Sequence, residues 1–464
     1  MPANRSTPAN RSLPTLPQLA RDLAASRVTS RRLVETCLAN IAAPEGEGSR
    51  VFLKVHSRQA LAAADYHDQL RRAGAAAGVY AGIPISIKDL FDLAGDVTTA
   101  GSTVLQGAAA ATRDAAAVSR LKAAGFIVIG RTNMTEFAFS GLGANPHYGT
   151  PLNPWERDQR RIPGGSSSGA AVSVTDAMAF AALGTDTGGS CRIPAALCGI
   201  VGFKPTASRV PLAGCHPLSM TLDSVGPLAN SVACCAVMDA VLSREPALGP
   251  AQSTAIEAAT SVAGLRFGVL GGYVLEGVVP EVASAWERAL RALAKAGARL
   301  SHIVIQEFDE LPQINRKGGL VTAEAYALHR ERLASDASQY DPRVATRILR
   351  GREQDAADYI DLRAQRASFI ARVTPRLAAY DALLMPTAPI IAPLLTDLAS
   401  DGAYAKINAL ALRNSSLVNF LDGCAISIPC HVPGSAPVGL TIFGLRDTDR
   451  RLLEIAGAVE SCLP

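Results

Sequence analysis

This chain has no CxxC pair, no HExxH or HxH spacing, and no stretch of about 18 uninterrupted apolar residues. The first two absences argue against a metal centre, and the third against a membrane-spanning helix. The cysteines (Cys37, Cys191, Cys198, Cys215, the adjacent Cys234 and Cys235, Cys424, Cys430 and Cys462) are too sparse and irregular for a disulfide framework, so a reducing compartment is expected. Basic runs never exceed an adjacent pair such as Arg31-Arg32. With 45 basic against 41 acidic residues the net charge is only +4, which speaks against a nucleic-acid partner. Lysine is scarce (Lys54, Lys88, Lys122, Lys204, Lys295, Lys317, Lys406). None lies between Lys122 and Lys204, so the glycine-rich segment there lacks the Gly-Lys-Ser/Thr of a phosphate loop.

At 464 residues and 48% hydrophobic content the chain can bury a large core. The opening MPANRSTPANRSLPTL repeats PANRS and is too polar for a secretory signal. Residues 1–14 are read as a disordered tail and 15–464 as a single domain, soluble and cytoplasmic, a monomer or a homodimer.

Amphipathic helices are expected at Pro17 to Ala25 and Ser30 to Ala42, with Thr15 and Thr29 as caps. Strand-like runs follow in alternation with helical ones: Ile83 to Lys88, Phe126 to Ile129, Phe180 to Leu183, Leu265 to Leu270, Ala382 to Met385 and Val438 to Phe443. The alternation predicts an α/β fold whose mixed or mostly parallel sheet is covered by helices on both faces. Glu245 to Gly264 reads as an exposed crossover. Residues 307–376 read as a charged helical lobe anchored by Tyr326, Leu328, Ile348, Tyr359 and Phe369, placed to shape substrate access.

Two glycine-serine loops carry the chemistry. In Gly184-Thr185-Asp186-Thr187-Gly188-Gly189-Ser190 the loop follows an apolar run, at the strand end where open α/β sheets bind ligands. Its successive N–H groups form a candidate oxyanion hole beside the Ser190 hydroxyl. Asp186 either orients that loop or makes an ordinary Asx turn. In the other loop, Gly165 to Gly169 reads G-S-S-S-G, formally a nucleophile elbow centred on Ser167, yet the polar, proline-led Pro154 to Arg161 before it is no buried strand. Lys88 ends a strand of alternating isoleucines. It either reaches solvent or pairs with Asp89 or Asp92, or it is desolvated into a neutral amine that serves as a base.

Taken together, GGSSSGAAV, GTDTGGSCRIPAALCGIVGFKPT and IPISIKDLF resemble the amidase signature family of serine hydrolases. Arg131 to Ala138, Asp223 to Ala229 and Pro437 to Ile442 match further motifs in order, so the resemblance spans about residues 15 to 460. It implies the amidase-signature fold, a central mixed twisted sheet, and a Ser–cisSer–Lys triad. By motif position Ser190 is the nucleophile, Ser166 the relay after a cis Gly165–Ser166 bond, and Lys88 the base. The oxyanion would rest on N–H groups of Thr187, Gly188, Gly189 and Ser190, with Ser167, Asp186 and Arg192 supporting the loops. The chain departs from the family pattern at Ser168, Ala170, Cys191 and Ser208, none a triad position.

The resemblance implies hydrolysis of carboxylic amides, with carbamates (urethanes) and esters as chemical neighbours, using water and neither metal nor other cofactor. Two alternatives accompany it: the amidase subunit of a tRNA-dependent amidotransferase, and a Ser167 esterase of the α/β-hydrolase kind. Leu142, His147, Tyr148, Cys191, Arg209, Leu212, Leu218 and Met220 are expected to line a partly apolar pocket with few fixed charges, suited to aryl or alkyl amides and carbamates.

Overall fold

Residues 13–245 and 261–463 are described by the computed structural model, so the expected tail and the crossover fall largely outside them. Eleven strands form one sheet: β1 (Phe52–Val55), β2 (Pro84–Lys88), β3 (Ile127–Thr132), β4 (Ala181–Asp186), β5 (Val201–Lys204), β6 (Ser224–Ala229), β7 (Arg266–Leu270), β8 (Arg299–Ile303), β9 (Ala382–Pro386), β10 (Cys424–Pro429) and β11 (Gly439–Gly444). Their order is β1-β3-β2-β4-β6-β5-β10-β11-β9-β7-β8. The sheet is mixed: β3-β2-β4 and β9-β7-β8 are parallel, and the strands between them run antiparallel. Every residue of β2, β4, β6, β9 and β11 is buried, so helices and loops cover both faces there.

The expected strands all appear, with ends shifted by a residue or a few. β1, β5, β6, β8 and β10 escaped the sequence reading. β6 and β10 carry Gly or Pro (Gly226, Pro227, Pro429), and β8 is largely exposed, so neither the apolar run nor strict alternation marks them. Thr15 and Thr29 do cap their helices, accepting from Gln18 N (3.3 Å) and Arg32 N (3.1 Å). Among the described residues no helix is long and apolar enough to cross a membrane.

The 307–376 region is helical, with Gly319–Asp336, Pro342–Leu349 and Ala356–Leu377 as its main elements. Ile348 and Phe369 are fully buried, whereas Leu328 is 39% exposed. Glu324, buried within the first of these helices, accepts from Ser219 Oγ, Thr221 Oγ1 and Tyr359 OH (2.8 Å), tying the 219–221 loop to two lobe helices.

One long helix that the sequence reading omitted, Asp401–Phe420, lies against the strand ends. Its signals were local: Ser400 accepts from Ala403 N (3.2 Å) as an N-cap, Asp401 sits in the first turn, and after Gly402 no glycine or proline follows until Gly423.

Candidate active site

The parallel trio β3-β2-β4 brings three C-terminal strand ends side by side, with Lys88 paired in register to Thr132 and Ile87 to Leu183. Lys88 therefore ends its strand next to the loop that leaves β4. Ser86, on the same face two residues earlier, bonds Ser173 of the Ser168–Thr175 helix (2.8 Å), so this face of β2 looks toward the first glycine-serine loop.

Lys88 has no exposed surface, and its Nζ lies 2.8 Å from Ser166 Oγ and 2.7 Å from Thr185 Oγ1. Burial lowers its pKa to about 8, against the pull of Asp223 and Asp186. It neither snorkels nor pairs with Asp89, whose carboxylate is taken by Arg131 Nε (2.6 Å) and Gly101 N (3.1 Å). The partners decide what this amine can do. Lys204, also fully buried, donates to the carbonyls of Pro205 (2.8 Å) and Gly423 (2.7 Å), which only accept. Lys88 faces hydroxyls, and a hydroxyl can donate to a neutral amine as readily as accept from an ammonium.

The Gly165–Ser166 peptide is cis. Gly165 N donates to Gly141 O (2.8 Å), Ser166 O accepts from Thr135 N (3.1 Å), and Ser167 N reaches Ser190 O (3.3 Å), so the two loops are joined through their backbones. Ser167 Oγ is buried and donates only to Thr185 O (3.4 Å). No strand precedes it, so the elbow reading lacks both the buried strand and a base.

The second loop is held from below. Asp186, fully buried, accepts from Gly189 N (2.8 Å), Cys191 N (3.2 Å), Arg192 Nε (3.0 Å), Arg192 Nη2 (2.9 Å) and Asn419 Nδ2 (2.9 Å). Burial alone would raise its pKa, but Arg192 beside it holds the carboxyl at about 2. This corrects one expectation: the Gly189 N–H belongs to Asp186, which leaves Thr187, Gly188 and Ser190 as backbone donors without partners among the described residues. Gly189 is required for another reason. Its φ is +130°, and a Cβ there would meet Ser415 Oγ at 2.1 Å. Gly188 O accepts from Ser415 Oγ (2.7 Å) and Ser416 Oγ (3.2 Å), so the loop's carbonyl is turned to the Asp401–Phe420 helix.

Register explains one further contact. Because Asp186 pairs with Ser224, Thr187 comes opposite Asp223, and Thr187 Oγ1 donates to its carboxylate (2.5 Å) while Leu218 N donates to the other oxygen (2.9 Å). Burial pushes the Asp223 carboxyl up to about 6, partly offset by these bonds. Thr185 and Asp223 were both missed. Each sits in a recognised motif, but only strand pairing turns it toward Lys88 or Thr187.

Ser190 lines a cavity of about 670 Å³ with Thr187 and Gly188. Among the expected pocket residues Leu218 alone borders it. Leu142 and Cys191 are fully buried elsewhere in the packing, and burial pushes the Cys191 thiol up. Tyr148 bonds Gln106 Nε2 (2.9 Å), and Arg209 is spent on Asp239 (2.7 Å) and Glu245 (2.9 Å). Met220 is 65% exposed. The walls come from the 307–376 lobe, the 138–140 turn and the Asp401–Phe420 helix. The expectation of few fixed charges also fails: Arg347, Arg350, Lys406 and Arg413 line the cavity, against the single carboxylate Glu276.

A sequence model described as Amidase matches residues 32–453. The chain is 34% identical over 453 residues to the 2-amino-5-chloromuconic acid deaminase of Comamonas testosteroni, covering 97% of this chain and 96% of that protein. It is 33% identical over 465 residues to a glutamyl-tRNA(Gln) amidotransferase subunit from Chloroflexus aggregans, covering 94% of each. Among solved structures, the peptide amidase of Stenotrophomonas maltophilia superposes with a TM-score of 0.79 at 26% identity, over 98% of this chain and 97% of that one.

Proposed function

The chain belongs to the amidase family, hydrolases of carboxylic amide C–N bonds, and from that premise we propose that Ser190, Ser166 and Lys88 carry the reaction on an amide that also bears a carboxylate. The observation behind the catalytic assignment is the buried contact of Lys88 Nζ with Ser166 Oγ at 2.8 Å, behind a Ser190 that faces the cavity.

Ser190 Oγ attacks the carbonyl carbon while its proton passes to Ser166 Oγ and the Ser166 proton to the neutral Lys88 amine. The negative charge that develops on the carbonyl oxygen meets the N–H groups of Thr187, Gly188 and Ser190, each such donor typically worth about 3 kcal/mol. Collapse breaks the C–N bond, and the proton returns from Lys88 through Ser166 to the departing amine. Water then repeats the sequence on the acyl-enzyme and releases the acid. Thr185 accepts one Lys88 N–H (2.7 Å), which directs the amine's lone pair at Ser166. Asp186 and Arg192 hold the loop, and Ser167 joins the two loops.

Carbamates and esters pass through the same tetrahedral oxyanion and belong in the same screen. The four cations around the cavity favour acid-bearing amides over neutral ones. A second reading, an amidotransferase component that releases ammonia for a partner, is favoured by the relatives of that name. Purified chain assayed alone, without ATP, on carboxylate-bearing and neutral amides, with Ser190→Ala as control, decides between them. Turnover of the acid-bearing amides by the isolated chain supports the hydrolase, and turnover surviving in Ser190→Ala overturns the triad.

A further inference from the structure

The cavity's cations stand on two separate elements. Arg347 and Arg350 are one turn apart at the end of the Pro342–Leu349 helix and the turn after it. Lys406 and Arg413 share a face of the Asp401–Phe420 helix with Leu410 and Leu417, an i, i+4, i+7, i+11 series that lines the cavity and sets the two charges about 10 Å apart along the axis.

None of the four has a carboxylate within ion-pair distance among the described residues. Arg347 donates to Phe139 O (2.8 Å) and stacks on the Phe139 ring at 4.4 Å. Arg350 reaches Arg316 O (3.3 Å). Arg413 reaches Asn414 Oδ1 (3.1 Å) and Val274 O (3.2 Å) and lies 5.6 Å from the Tyr273 ring. Carbonyls and rings satisfy N–H groups but leave the charge uncompensated. Arg131, Arg192 and Arg209 elsewhere in the protein are each matched by an aspartate. Burial pushes the Arg347 guanidinium down to about 10, a penalty that a bound anion would relieve.

One carboxylate occupies one arginine fork and leaves the other wall charged. Resting on the amide-hydrolase reading above, we propose that the substrate is a dianion: a small amide with two acidic groups, one held by Arg347 and Arg350 and the other by Lys406 and Arg413. Glu276 at the same cavity would then disfavour substrates with a third acid there.

The test separates binding from turnover. Full-length Ser190→Ala protein is titrated calorimetrically with straight-chain dicarboxylates from succinate to suberate and with monocarboxylates of matching length. The dicarboxylate of best-fitting length should bind at least about tenfold tighter than its monocarboxylate, and raised salt should narrow the gap. Arg347→Met and Lys406→Met, made separately, should each bring the dicarboxylate down to the monocarboxylate level, a loss of about ten- to hundredfold. Equal affinity for both series, or variants that weaken both series alike, overturns the proposal. Failure of the catalytic reading shows itself elsewhere, as amide turnover surviving in Ser190→Ala.

Discussion

The floor and the walls of the cavity handle charge in opposite ways. On the floor, Asp186 and Arg192 are fully buried and satisfy each other, with Asn419, Ser415 O and two backbone N–H groups completing the set. On the walls, four cations face one carboxylate, and the three arginines among them bond carbonyls or lie over rings. A saturated buried network fixes a geometry and has nothing left to offer a ligand, whereas unmatched charge at a cavity wall is capacity held for one. On the proposed reading chemistry falls to the floor and selection to the walls, and each half of that division can be attacked separately.

The largest effect is expected at the nucleophile. Ser190→Ala should lower kcat by about a millionfold, as loss of a nucleophile does in other serine hydrolases, with an unchanged circular dichroism spectrum. Ser167→Ala, assayed beside it, should retain turnover. A reversed pair of results would move the nucleophile to the other loop.

Lys88 comes next. Since burial brings its pKa from 10.5 to about 8, the amine is increasingly protonated below that pH and cannot take the serine proton. The pH profile of kcat/KM should therefore rise with pH to a plateau above about 8. Lys88→Arg keeps a donor but never deprotonates, so it should lose as many orders of magnitude as Lys88→Met. Substantial activity in Lys88→Arg would remove the base from the scheme.

Smaller losses probe the supports. Asp186→Asn leaves Arg192 buried without its counter-charge and should cost about 3–5 kcal/mol of stability, read as a shifted denaturant midpoint. Glu324→Gln weakens the bonds from Ser219, Thr221 and Tyr359 that tie the lobe to the 219–221 loop, and about 1–3 kcal/mol is expected. If the comparison of floor and wall holds, that variant should raise KM more than it lowers kcat. Smallest of all, Met220→Gln should alter neither stability by more than about 0.5 kcal/mol nor kcat/KM, because that side chain is solvent-exposed and outside the cavity.

The same contrast governs what could be read in advance. The floor is built from loops whose backbone must approach another chain segment closely, and that demand is written in local glycines: Gly189 has no room for a Cβ against Ser415. Lys88 was visible as an ammonium on an apolar strand. The wall is written on helices far apart in the chain, where a lysine or arginine reads the same whether it faces solvent or a cavity. Leu142 and Tyr148 looked like pocket residues, yet packing and a bond to Gln106 take them elsewhere. Arg347, Lys406 and Arg413 carried no local signal of their destination.

By itself, then, the sequence determined the family and the mixed α/β sheet, because several long motifs stand in order along the chain, and the same resemblance singled out the two serines and the lysine proposed here to carry the reaction. Tertiary structure alone decided that Gly189 serves Asp186 rather than an oxyanion, that Thr185 and Asp223 meet Lys88 and Thr187, and that four cations with no ion-pair partner among the described residues share one cavity. Those outcomes depend on strand register and on helices meeting across long stretches of chain, and no local pattern encodes which distant side chain will be opposite.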